Sequence, residues 1–203
     1  VGDDPVLNLA KKLNQKNILH IEEPQAQSTQ NSILKVKLER SDNALANVVK
    51  ESRMPSTDNL LIVVDQFEEI FQHKAKSAKG SAEATAFIKL LLEASTQKDA
   101  SIYVVLTMRS DFIGDCAEMP GLIEYINSSQ YIVPRMTREQ LRLAVSGPIK
   151  VGGGKLSSDL EKRLLNDIDD NPDHLPILQH AMMRMWDFWQ SQTETNSLDL
   201  YHY

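Results

Sequence analysis

The stretch NLLIVVDQFEEIF, residues 59–71, decides the fold. Five aliphatic residues, Leu60 to Val64, stand between polar neighbours, and a run of that length reads as a strand buried on both faces in a parallel sheet. The apolar run ends at Asp65, after which QFEEIFQH places Phe67, Ile70 and Phe71 on one side of a short helix. A second run, SIYVVLTMRSD at 101–111, predicts another buried strand over Ile102–Thr107. Between the two, Ala86, Phe87, Leu90, Leu91 and Ala94 recur at helical spacing and predict a helix from about Ser81 to Thr96. KAKSAKGSAEA, 74–84, has no apolar anchors and reads as a mobile loop. Strand, helix, strand is the crossover unit of a parallel sheet, so the fold class is α/β.

Toward the N-terminus, Asp4 is placed to cap a helix and Pro5 to open it, with Val6, Leu9, Ala10 and Leu13 as its apolar stripe. IEEPQAQSTQNS, 21–32, is polar, aperiodic and loop-like. ILKVKLERS, 33–41, fits a strand through Leu34, Val36 and Leu38, and equally a helix through Leu34, Leu38 and Ser41. Ser41 is the expected cap of a helix in DNALANVVKESRM that stops at Pro55. Beyond Asp111 the pattern turns helical. DFIGDCAE and GLIEYIN read as short helices and QYIVPRM as an extended piece. Thr137 with Gln140 forms a capping-box signature, and two more amphipathic helices follow in SSDLEKRLLNDIDD and LPILQHAMMRMWDFWQ. A boundary near Arg135 divides an α/β core, 1–135, from a helical domain, 136–203.

At roughly 150 residues per domain, 203 residues hold one large domain or a core with a small appendage. Lys and Arg number 22 against 28 Asp and Glu, a net charge of −6, which argues against a nucleic acid or an anionic membrane as main partner. Leu60–Val64 is the longest aliphatic run and falls far short of the roughly 20 residues that span a bilayer. The single cysteine, Cys116, cannot form an internal disulfide and fits a reducing, cytoplasmic setting; with no histidine suitably near, it reads as a small buried apolar residue. His174 and His180 are six apart, off one helix face, which argues against a metal pair. Met182, Met183, Met185, Trp186 and Trp189 read as helical packing. Arg135 and Arg138 read as a solvated face. The chain starts at Val1 almost inside a helix signal and is expected to be a piece of a longer protein.

Ligands of parallel sheets bind at the carboxyl edge of the strands, where this sequence concentrates its polar groups. Asp65 ends the first strand, with Glu68 and Glu69 three and four positions on. A carboxylate there can hold Mg²⁺ through its water shell, and a second can polarise an attacking water. Thr107 and Arg109 end the second strand; a hydroxyl there can bond a water or phosphate oxygen, and a guanidinium suits a terminal phosphate. Together they form the polar half of a nucleotide hydrolase. The same residues also fit a plainer reading, in which strand ends carry charge for solubility and Arg109 pairs with Asp111 or Glu69.

LLIVVDQFEEIF, IYVVLTMRSDFIGDC, LRLAVSGPIKVGGGKLSSDLEKRLLNDI and LPILQHAMMRMW, in this order and spacing, resemble the STAND class of P-loop NTPases, relatives of AAA+ ATPases. The closest resemblance is to the group called novel STAND NTPase 1, found in bacteria fused to WD-repeat propellers or other effector modules, and it runs from GDDPVLNLAKKL to SLDLYHY. It implies a partial three-layer P-loop NTPase core with a parallel sheet, then a small all-helical domain leading toward a winged-helix region. Asp65 matches the Walker B aspartate that binds Mg²⁺, and Glu68 and Glu69 match the acidic pair containing the water-activating residue. Thr107 and Arg109 match sensor 1, which reads the γ-phosphate, and Pro176 matches the GxP proline that packs by the base; His174 replaces its glycine. The implied ligands are ATP and Mg²⁺, and the implied partners are proteins, fused effector domains or, on activation, further copies of the chain.

A phosphate-binding loop needs G-x-x-x-x-G-K-[ST] after a strand, so that glycine-rich backbone amides wrap the phosphates. IKVGGGKLSS supplies Gly154 and Lys155, but Ile149 replaces the first glycine and Leu156 the hydroxyl, and a helix pattern precedes it. It reads as a helix-to-helix turn. Two functions follow: part of an ATP-driven signalling switch, inactive in isolation, or a non-hydrolysing protein-interaction platform. The Asp65, Glu68, Thr107 and Arg109 side chains favour the switch.

Overall fold

A computed structural model describes residues 2–15, 18–19, 26–55, 57–168, 174–192 and 197–203. The chain forms two compact units, 1–132 and 133–203.

In the first unit α1, Pro5–Leu13, starts as its sequence predicts: Asp4 accepts from the Leu7 N–H at 2.9 Å, and Pro5 sits in the first turn. The segment at 33–41 resolves in favour of a helix. α2 spans Gln27–Leu38 with Leu34 and Leu38 buried and Val36 exposed, so the expected loop over 21–32 is helical from Gln27 onward. Residues 21–25 lie outside the described residues. Ser41 does not cap α3, Ala44–Glu51; Asn43 occupies that position, and Ser41 contributes its carbonyl to the Ala44 N–H instead.

β1, Leu60–Val64, and β2, Ile102–Leu106, pair in parallel with Leu60 opposite Ile102 and Val64 opposite Leu106. Leu60, Ile62, Val64 and Ile102 are buried, on the side where β2 meets the long helix that connects the strands. Leu61, Val63, Tyr103 and Val105 are 46–59% exposed, so the expectation of burial on both faces does not hold. Among the described residues a helical layer covers one face of the sheet, and the side chains that alternate to the other face have no cover. The fold is mixed α/β with a parallel pair of strands, compatible with part of an NTPase core.

The lysine- and alanine-rich segment is not a loop. α4 spans Glu69–Lys76 and α5 spans Ala78–Thr96, with only Ser77 between them. Ser77 caps α5 by accepting from the Gly80 N–H at 3.0 Å. Small residues are the anchors here: a Cβ on Gly80 would lie 2.3 Å from the His73 carbonyl oxygen, so glycine permits the two helices to meet. His73 is buried, with Nε2 at 2.9 Å from Glu83 Oε2. After β2 come a 3₁₀ turn, Ser110–Phe112, then α6, Ile113–Cys116, and α7, Leu122–Ser129. Tyr131, Ile132 and Val133 lie outside any helix or strand and are 66–85% exposed.

The second unit opens on α8, Arg138–Val151, with the capping box complete: Thr137 accepts from the Gln140 N–H and Gln140 Oε1 accepts from the Thr137 N–H. α9, Ser158–Asp167, and α10, His174–Gln190, pack with it around Val145, Ile149, Leu160, Leu164, Met185 and Leu198. Met182, Trp186 and Trp189 pack against this core, whereas Met183 is exposed. The triple glycine is the turn that closes α8. A Cβ on Gly152 would lie 2.4 Å from the Trp186 ring, and Gly153 has φ +81°. These glycines serve tryptophan packing and a left-handed turn.

Candidate functional site

Parallel pairing brings the carboxyl ends of β1 and β2 side by side, and three backbone-directed bonds then fix the residues that follow. The Thr107 N–H donates to the Val64 carbonyl at 3.0 Å, and the Thr107 carbonyl accepts from the Phe67 N–H at 2.9 Å. The Thr107 hydroxyl donates to Asp65 Oδ1 and accepts from the Gln66 N–H at 3.3 Å. One threonine thus holds the turn after β1 at three successive residues.

That turn is strained at Gln66, whose φ of +53° lies in the left-handed region. Such a conformation costs about 1–3 kcal/mol and persists where neighbours over-determine it. Phe67 is the neighbour that matters. It is 1% exposed, meets Phe71 edge to face at 5.9 Å, and Phe71 in turn stacks on Phe112 at 6.2 Å. The left-handed residue therefore drives Phe67 into the core while Asp65 stays exposed at the sheet edge. Gln66 was not legible as a site residue, because a glutamine gives no sign of left-handed backbone.

Glu68 and Glu69 are both half-buried, but their surroundings differ. Glu68 Oε2 is sealed from solvent and has no hydrogen-bond donor among the described residues. Glu69 Oε2 accepts from the Gly2 N–H at 3.1 Å. Arg109 donates through Nε and Nη2 to Asp111 at 3.1 and 3.0 Å, which holds the Asp111 carboxyl below the usual carboxylate range. Of the two ion-pair partners weighed from the sequence, Asp111 is the one bound in this bidentate way. Both side chains are more than half exposed, so the pair is solvent-screened. Cys116 is fully buried, and burial pushes its thiol up to about 11, as suits an inert residue.

Pro176 belongs to the second unit, exposed in the first turn of α10. Nearby, His174 Nδ1–H donates to the Ile168 carbonyl at 2.8 Å. Asp65, Glu68, Glu69, Thr107 and Arg109 all lie in the first unit, on the two strand ends and the turns that follow them.

Among the described residues no group of three or more His, Cys, Asp or Glu side chains forms a metal cage. Mg²⁺ in phosphate-transfer sites needs no such cage, being held by one or two carboxylates, waters and the phosphates themselves. Asp65 fits that role: its carboxylate is exposed at the sheet edge with one oxygen oriented by Thr107, and Glu68 keeps a desolvated oxygen three residues on. No described helix is long and apolar enough to cross a membrane.

The family described as Novel STAND NTPase 1 matches the chain over residues 1–203. No curated protein and no solved structure matches it.

Proposed function

Because the chain belongs to the Novel STAND NTPase 1 family, we propose that it carries the magnesium and terminal-phosphate side of an ATP site in a signalling switch. The observation that carries this reading is the bond from the Thr107 hydroxyl to the Asp65 carboxylate, which fixes two polar groups side by side at the carboxyl edge of a parallel pair. Asp65 would hold Mg²⁺ through its free oxygen, and the metal would neutralise charge on the terminal phosphate. Thr107 orients that carboxylate with its one hydroxyl proton, and would sense a terminal phosphate by turning that proton from Asp65 to a phosphate oxygen. Arg109 is held beside the site by Asp111 and meets the phosphate by exchanging one carboxylate contact for another oxyanion.

The 203 residues contain no complete G-x-x-x-x-G-K-[ST]. The groups they do contain address the metal and the last phosphate, and leave the other phosphates without a backbone cradle. The isolated chain is therefore inactive and binds ATP weakly at most. In the natural full-length protein, nucleotide held at these strand ends would bias a conformational equilibrium, and hydrolysis would reset it. Protein partners, fused effectors or further copies of the chain would read that change.

Isothermal titration of the natural full-length protein tests this reading. MgATP binds, and Asp65→Ala weakens it at least about tenfold. Equal affinity in the two proteins would favour the other function, an interaction platform that keeps the fold and does not use the metal.

A further inference from the structure

Arg109 stands beyond the end of the second strand as one half of a pair. It precedes the 3₁₀ turn Ser110–Phe112, and its Nε and Nη2 donate to the two oxygens of Asp111 at 3.1 and 3.0 Å. Partners two residues apart on one turn lose little side-chain freedom in meeting, and the fork of the guanidinium satisfies both carboxylate oxygens at once. The turn is itself anchored. The Phe112 N–H donates to the Arg109 carbonyl at 3.2 Å, the Phe112 ring stacks on Phe71 with planes 3° apart, and the Phe112 carbonyl accepts the Cys116 thiol at 3.5 Å. Two residues before Arg109, the Thr107 main chain is bonded to Val64 and Phe67, on either side of Asp65. Asp111 is thus fixed on the short stretch of chain that runs from the end of β2 to α4. Arg109 holds its carboxyl below the ordinary carboxylate range, so that at neutral pH Asp111 is ionised and the pair carries no net charge.

We infer that Asp111 is a specificity-determining residue, a built-in anion that competes with the terminal phosphate for Arg109 and so narrows the preference for a nucleoside triphosphate over a diphosphate. This rests on the MgATP reading proposed above. A carboxylate and a phosphate offer the guanidinium fork the same kind of oxygen pair, so Arg109 meets a terminal phosphate only against the pull of a partner already in bidentate register. The Asp111 charge also repels that phosphate directly. A diphosphate lacks the group that Arg109 would address and leaves the pair as it is, so the opposition falls on the triphosphate. Arg109 then has two partners of similar strength, Asp111 before a terminal phosphate arrives and the phosphate after, and loss of the phosphate returns it to Asp111. An arginine without such a neighbour would hold the triphosphate more tightly and release it less readily.

A double-mutant cycle in the natural full-length protein tests the competition, with MgATP and MgADP affinities measured by calorimetry at low ionic strength. Asp111→Asn, which keeps the shape and removes the charge, tightens MgATP about three- to tenfold and changes MgADP less than about twofold. In an Arg109→Gln background the same substitution tightens MgATP less than about twofold, because the cation competed for is gone. A merely structural role for Asp111 would move both nucleotides alike and would not depend on Arg109. Asp111→Asn that leaves MgATP unchanged or weakens it, that tightens MgATP and MgADP equally, or that keeps its full effect without Arg109, would overturn the assignment and leave the MgATP reading standing. A wild type that binds no MgATP would overturn that reading and the assignment together.

Discussion

The hydroxyl of Thr107 donates to the carboxylate of Asp65 across the ends of the two paired strands, and the same oxygen accepts the Gln66 N–H. Thr107→Val keeps the β-branched shape and removes both bonds. It leaves the left-handed Gln66 turn held by the main-chain bonds of residue 107 to Val64 and Phe67 and by the buried Phe67 side chain. Because the site is solvent-exposed, the expected loss is about 1 kcal/mol, read as a lower urea midpoint at unchanged slope. Thr107→Ser, which retains the hydroxyl, restores most of it.

The Arg109 guanidinium holds the Asp111 carboxyl below its ordinary value of 3.8. A carboxyl whose folded pKa lies below its unfolded one contributes stability that is present above the unfolded value and lost as pH falls through the folded one. The pair therefore weakens only below about pH 4, and not near neutrality. Carbon-detected titration of Asp111 finds its midpoint below 3.8 in the native chain and back at the ordinary value in Arg109→Gln.

Gly80 permits the close approach of α4 and α5, since a Cβ there would lie 2.3 Å from the His73 carbonyl oxygen. Gly80→Ala forces the helices apart and costs about 2–3 kcal/mol. Gly147 lies in α8 with open space around its Cβ position, so Gly147→Ala is the control and stabilises by about 0.5–1 kcal/mol. Calorimetric unfolding of the two variants separates packing from helix propensity.

Cys116 is fully buried, and its thiol is pushed up to about 11. At pH 8 only about one molecule in a thousand carries the thiolate. A chromogenic disulfide reagent therefore leaves the native chain unmodified and titrates the thiol fully in denaturant. Prompt labelling of the native chain would show that Cys116 is not in the core described here.

Much of this was written in the sequence, and what was not has identifiable causes. The aliphatic runs at Leu60–Val64 and Ile102–Leu106, the Asp4 and Thr137 caps and the glycine turn between α8 and α9 follow from local chemistry, and the structure forms them. α5 was legible from Ser81 onward because Phe87, Leu90 and Leu91 mark its face, and illegible before that because Gly80 packs by being small. The exposed face of the sheet was missed because alternation cannot report whether a covering layer is present: Leu61 and Val63 read as buried and are not. At the site, chain position placed Asp65 and Thr107 together through strand pairing. The difference between Glu68 and Glu69 depends on a contact with Gly2, which no local pattern contains.

The most direct test of the central claim, that these strand ends form the metal side of a nucleotide site, is the dependence of ATP affinity on Mg²⁺ in the natural full-length protein, wild type against Asp65→Ala. Mg²⁺ is expected to strengthen ATP binding in the wild type, and Asp65→Ala to remove at least about tenfold of that gain while leaving metal-free ATP binding unchanged. An identical Mg²⁺ dependence in the two proteins would contradict it.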